Sequence, residues 1–246
     1  MTELRVDLNA DLGEGYGSWR MTDDEALLGI VSSANVACGG HAGDGSTMRR
    51  VCRVAAARGV ALGAHVAYED KPGFGRRAMD VEPGELEDLA LAQLATLTGI
   101  AAAESTRVAY CKPHGALYHA VTTDRRQARA VAAAVAALHP GLPVLGLPGS
   151  VWLEEASAAG LLPITEVFAD RAYEADGSLV PSAPAFTEPA PCTRPDCDHG
   201  WISTDPAADR LHHLIGTPAP PVRACPDCDP RVRSDDEGDQ VDEPAF

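Results

Sequence analysis

The chain has 246 residues, 45% of them apolar, enough to bury one large core about as well as two smaller ones. Thirty-six acidic against twenty basic residues give a formal charge of −16, which argues against a phosphate backbone or an anionic membrane surface as partner and leaves small molecules and proteins. The start lacks a secretory pattern, no stretch approaches a membrane span in length, and Cys38, Cys52 and Cys111 sit singly in apolar segments, so a reducing cytoplasm is the expected location.

Up to about Arg171, short apolar runs alternate with helix-period segments, the pattern of strand-helix units around a parallel sheet. The predicted strands are Leu4 to Leu8, Ser33 to Cys38, Val60 to Val66, Val108 to Cys111, Pro143 to Leu147 and Ile164 to Ala169. A helix is expected to open near Asp44 or Ser46, with Met48, Val51, Cys52 and Ala55 on one face and Gly59 as its stop. Two more, Glu85 to about Ala103 and Asp124 to Leu138, are rich in Ala and Leu, as suits helices packed on a barrel. Beyond Ala172 the periods fail, and prolines crowd the segment from Pro181 to Pro195.

In a parallel α/β barrel the catalytic groups gather at the C-terminal ends of the strands. This chain puts polar residues there repeatedly: Asp7, Asn9, Asp11 and Glu14 around the first strand, His41 and Asp44 after the second, His65 at the third, Lys112 and His114 at the fourth, Asp170 and Arg171 after the sixth. A single histidine or acid at such a place is ordinarily a satisfied hydrogen-bonder or a helix cap; five coincidences on one face point to a polar site. Carboxylates beside imidazoles can divide acid and base roles, because burial and neighbouring charge push their pKa values apart. Lys112 and Arg171 are the candidates for a substrate carboxylate or an oxyanion, and Asp11, His41 and His65 are a possible set for a divalent metal. The glycines flanking these groups fit either close approach to a ligand or simple tight turns. No phosphate-cradling G-x-x-x-x-G-K-[ST] and no G-x-S-x-G nucleophile elbow occurs, and the glycines from Gly13 to Gly17 lack the dinucleotide spacing.

Five segments, DLNADLGEGYG, SANVACGGHAGD, GAHVAYEDKPGFGRR, KPHGALYHAV and EVFADRAYEADGSLV, resemble in order the signature blocks of the LamB/YcsF family, the A subunits of 5-oxoprolinase. The resemblance covers residue 4 to about 181. It implies a distorted seven-stranded β/α barrel similar to polysaccharide deacetylases, and conversion of 5-oxoproline to glutamate with ATP hydrolysis, ATP being handled with partner subunits B and C. On this reading the catalytic residues are Asp7, Asp11, Glu14, His41, His65, His114 and Asp170, with Asp11 and His41 first choices for base and acid. Asn9, Asp44, Lys112 and Arg171 would bind substrate, Lys112 and Arg171 at its carboxylate. Position 40, more often Phe in the family, is Gly here, which is expected to loosen the pocket beside His41.

Family members continue with a helix, a last strand and a block resembling CVHGDTP; here the sequence after Pro181 differs, so the barrel is expected to lack its last strand and stay open between the first and sixth. The expected organisation is a barrel over residues 1–181, an appendage over 182–233 and a disordered acidic end over 234–246. In the appendage Cys192, Cys197, Cys225 and Cys228, with His199 or His212 as substitutes, resemble a zinc ribbon; unpaired reduced thiols are the alternative. Two other functions stay open: a metal-dependent deacetylase or amidohydrolase acting alone, and a catalytically inactive paralogue that serves as a binding protein.

Overall fold

The computed structural model describes residues 6–17, 19–174, 179, 197–198, 201–203 and 222–224. The chain divides into two compact units, Met1–Arg171 and Ala172–Phe246. In the first, β1 (Asn9–Leu12), α1 (Asp24–Leu27), β2 (Ser33–Ala37), α2 (Gly45–Arg58), β3 (Ala61–Val66), α3 (Pro83–Ala103), β4 (Val108–Pro113), α4 (Gly115–Thr123), α5 (Arg125–Leu138), β5 (Pro143–Gly146), α6 (Val151–Ala158) and β6 (Leu162–Thr165) follow one another. The six strands pair in chain order and all in parallel. The described part of the second unit includes a small antiparallel sheet of β7 (Cys197–Asp198), β8 (Trp201–Ser203) and β9 (Val222–Ala224).

Local chemistry sets the helix limits. Asp44 caps α2 by accepting from the Thr47 amide at 2.7 Å, and Gly59 ends it in the left-handed region at φ 69°, where a Cβ would be strained. The Glu82 carboxylate accepts from the Gly84 and Glu85 amides ahead of α3, with Pro83 in the first turn, and Asp124 accepts from the Arg126 and Gln127 amides ahead of α5. Helix α3, 21 residues long, is apolar enough by composition to cross a membrane, contrary to the expectation that no segment approaches that length. It buries Leu86, Ala90, Leu94, Leu97 and Ala101 in the core instead.

Two strands lie elsewhere than predicted. The first begins at Asn9, after the apolar run Leu4 to Leu8, because Asn9 to Leu12 pair in register with Ser33 to Val36. Hydrophobicity under-reads this strand, since Asn9 and Asp11 project onto a polar inner face. The sixth is Leu162–Thr165, ending where the Glu166 amide donates to the Gly146 carbonyl, so Val167 to Ala169 lie beyond it.

The sheet curls as a barrel wall. In a flat sheet the first and fourth strands would stand roughly 14 Å apart, yet Lys112 on β4 reaches both Asn9 on β1, at 3.2 Å, and Glu166 just after β6, at 2.9 Å. Among the described residues no strand pairs with the outer edge of β1 or β6.

Outward positions such as Leu12, Val36, Leu62 and Cys111 pack in the core, while Asp11, Asn35, Gly63 and Tyr110 stand side by side across the inner face. Gly63 is required there, because a Cβ would overlap the Tyr110 ring. Gly63→Ala is therefore expected to lower stability by about 1–3 kcal/mol or more through overpacking, measured by urea denaturation. A variant as stable as the parent would contradict the close contact.

Candidate active site

At the C-terminal ends of β1 to β4 three histidines meet. His65, near the end of β3, pairs its Nδ1 with the Lys112 backbone carbonyl at 3.0 Å; His114, just before α4, pairs its Nε2 with the Phe74 carbonyl at 3.0 Å. Carbonyls only accept, so both of these ring nitrogens must carry N–H. The opposite nitrogens, His65 Nε2 and His114 Nδ1, lie 3.0 Å apart and, in neutral rings, both present lone pairs. Such a contact needs a cation between or upon them, a proton or a metal ion.

Carboxylates surround this contact. Asp11 Oδ1 is 3.3 Å from His65 Nε2, and Glu14 Oε1 is 3.8 Å from His114 Nδ1 and 3.1 Å from His41 Nε2. Asp11, Glu14, His65 and His114 each offer a ligand atom within 4.8 Å of the others, a mixed oxygen and imidazole set suited to zinc, iron or manganese. The backbone partners of both histidines supply the outer hydrogen bonds that orient metal ligands. The group differs from the set Asp11, His41 and His65 expected from sequence. His41 stacks on His114 with ring centroids 3.6 Å apart, faces Glu14, and keeps Nδ1 buried with no hydrogen-bond partner among the described residues.

Residues 6–187 match the LamB/YcsF family. The chain belongs to that family. A Streptomyces avermitilis protein, named as the A subunit of 5-oxoprolinase, is 60% identical over 176 residues, 72% of this chain and 70% of the relative. A Mycolicibacterium paratuberculosis protein of the same name is 58% identical over 216 residues, 87% of this chain and 80% of the relative, a span that runs past residue 187. A crystal structure of a lactam utilization protein from Thermus thermophilus superposes with a TM-score of 0.71 at 46% identity, covering 73% of this chain and 72% of that one.

Within this family member, protonation follows from surroundings. Partial desolvation acts to raise the Asp11 carboxyl, but the charge and hydrogen bond of His65, helped by Lys112 and Asn35, hold it far below the ordinary range. Burial acts to lower His65, and Asp11 more than offsets it, so His65 is raised, in keeping with a proton at its contact with His114. Burial, together with the charge of His65, pushes His41 and His114 down to about 2. Glu14 is raised, chiefly by burial.

The other predicted residues separate into groups. Asn9 joins the inner network: Asn35 Nδ2 donates to Asn9 at 2.7 Å and to Asp11 at 2.8 Å. Lys112, expected at a substrate carboxylate, is nearly buried and bound to Glu166 and Asn9, so its charge is balanced within the wall. Asp7 accepts from the Ser32 and Ser33 hydroxyls at the start of β2, and Asp44 caps α2 and accepts from the Gly17 amide, so both serve the ends of elements. Asp170 is exposed, and the Arg171 charge acts on His119. Gly40 does not loosen the pocket: the Gln93 carboxamide occupies the space a Cβ would take and bonds both the amide and carbonyl of Ala67. Of the proposed zinc ligands, Cys192, Cys225 and Cys228 and the Cys197 side chain lie outside the described residues.

Asn35, Tyr110 and Glu166 belong to the network and were not singled out from sequence. Each puts a polar group inside an expected strand, Glu166 within the run from Ile164 to Ala169, which is the available signal.

The pH dependence of the metal-free protein follows by sign. The unfolded chain takes protons at His41 and His114 near the ordinary value of about 6.5, whereas the fold refuses them until about 2. Stability at these two groups is present above about 6.5 and is lost as the pH falls. His65 works in reverse: its raised value contributes stability in full below about 6.5 that is lost as the pH rises through it. Glu14, raised by burial, works in the same sense as His65, so the depressed histidines are read by difference against a variant. On going from pH 7 to pH 5 in urea, chelator-treated His114→Gln should lose less stability than the chelator-treated parent; a larger loss in that variant would refute the assignment.

Proposed function

We propose that this chain is the A subunit of a cytoplasmic 5-oxoprolinase, opening the lactam of 5-oxoproline to glutamate together with subunits B and C. The observation that carries the reading is the pair of facing histidine nitrogens ringed by Asp11 and Glu14. The names of the relatives and of the lactam utilization protein support the substrate class. The chain has no phosphate-cradling loop and is strongly acidic, so ATP belongs with the partners on this reading.

Hydrolysis of the lactam breaks the ring C–N bond, forms a C–O bond to water, and delivers one water proton to the leaving nitrogen. Glu14, raised by burial, is suited to accept that proton and return it. His41, bonded to Glu14 and held neutral, orients that carboxyl and can pass the proton. Asp11 and His65 form a fixed charge pair beside the reacting carbonyl. A divalent ion held by Asp11, Glu14, His65 and His114 would take the place of the proton at the histidine contact and supply Lewis-acid polarisation of the carbonyl.

Asp11→Asn and His65→Gln are expected to lower kcat/KM in the complex reconstituted with subunits B and C by on the order of a hundredfold or more, with the circular dichroism spectrum unchanged. Unaltered turnover in both would sink the site. Metal content gives an independent readout: Asp11→Ala should lose bound zinc or manganese. A deacetylase or amidohydrolase acting alone would use the same ligand set; amide hydrolysis by the chain without partners or ATP would select it.

The reading extends to a zinc ion on Cys192, Cys197, Cys225 and Cys228, four thiolates replacing a core too small to fold unaided. The protein should then contain a stoichiometric zinc that is lost in Cys225→Ser and retained in Asp11→Ala. No zinc beyond the barrel site would overturn the ribbon.

A further inference from the structure

The polar face reached through the loop before α3 holds several cations, and most are spoken for. Arg77 is clamped on Asp70, whose carboxylate also accepts from the Gly73 amide, and Lys112 is bound to Glu166 and Asn9. Arg76 is different. It is exposed, and among the described residues its guanidinium has one partner, the face of the Phe74 ring at 5.3 Å. Its five N–H donors are otherwise unspent.

The position of Arg76 is fixed by tight backbone geometry. Phe74, two residues before it, adopts φ 55°, a left-handed conformation that a bulky residue keeps only when its surroundings impose it. Its carbonyl takes the His114 N–H, and its ring stands edge-on to His41 and His114 at 5.2 and 5.5 Å. Gly75, at φ 64°, lies against both histidines: a Cβ there would be 2.7 Å from the Cβ of His41 and 3.1 Å from the Cδ2 of His114. The Arg76 stem reaches the start of α4, its Cγ 3.6 Å from where a Cβ on Gly115 would stand.

We propose that Arg76 is the carboxylate receptor of this site, binding the acid group of a small cyclic carboxylate through its guanidinium fork while the ring carbonyl faces the histidines. The inference rests on the 5-oxoprolinase reading for the identity of the substrate and adds the residue that selects an acid over its neutral analogue. The charge of Arg76 is felt at Glu14 and His41, in keeping with a place beside the reacting groups. A planar fork matches a carboxylate with two parallel hydrogen bonds, and stacking on Phe74 holds it flat.

The test is a calorimetric titration of the full chain with 5-oxoproline and with its uncharged amide. The wild type should bind the acid more tightly. Arg76→Gln should weaken binding of the acid by on the order of tenfold to a hundredfold and leave the amide unchanged, and Arg76→Lys should recover part of the loss. Lys71→Gln, which removes a neighbouring cation stacked on Tyr16, should leave the preference for the acid in place. A wild type that binds acid and amide alike, or binds neither, overturns the proposal, as does a preference that survives in Arg76→Gln or collapses equally in Lys71→Gln. Turnover with subunits B and C is a separate arm. Acid binding that depends on Arg76 without ring opening would reject the 5-oxoprolinase reading and keep the subsite.

Discussion

Two imidazole nitrogens 3.0 Å apart, each on a ring whose other nitrogen is committed to a backbone carbonyl, impose the main electrostatic demand on this barrel. Neutral rings held that way repel, so positive charge has to reside at the contact, and negative charge has to stand near it. Asp11 and Glu14 meet that need from one segment of chain, the end of β1 and the turn after it. The two anchoring carbonyls come from different places, one from β4 and one from the strained turn at Phe74. The site is thus rigid on one side through the sheet and on the other through a loop that Asp70 and Arg77 tie down.

A polar interior is costly, and the network limits the cost by satisfying its members in pairs. The Tyr110 hydroxyl donates to Asn35, Asn35 donates to Asn9 and Asp11, and Asn9 also accepts from Lys112. The Lys112–Glu166 pair is enclosed on both sides. Removing either member would strand a buried charge, which costs far more than the intact pair contributes. The Lys112 ammonium also lies 4.7 Å from the centre of the Phe168 ring, further reason to regard it as a fixed part of the wall. An exposed guanidinium such as Arg76, by contrast, can change partner without dismantling the interior.

The matches to relatives place these features on the shared part of the chain. The LamB/YcsF match spans every residue of the histidine cluster and its network. The parallel sheet pairs in strict chain order, so helical crossovers deliver each strand end to the same face, and functional groups far apart in sequence converge without long-range threading.

The alternation of strands and helices, the ends of α2 at Asp44 and Gly59, and His41, His65, His114, Asp11 and Glu14 as polar residues at strand ends were legible in the chain alone. They are legible because helix period, cap chemistry and polar residues at strand ends are local signals. The signature blocks made the family recognisable on the same local grounds. Strand limits at β1 and β6 were not legible, since an inward polar face hides a strand from any reading based on apolar runs. Nor was the partner of each charge. Lys112 and Arg76 look alike in sequence, each a cation beside glycine-rich text; only the curl of the sheet, which carries Glu166 and Asn9 to Lys112, decides that one is neutralised and the other is left open. Chemistry by residue type is written locally, whereas the pairing of charges depends on distances between strands far apart in the chain, and those distances exist only after the sheet has curled around its core.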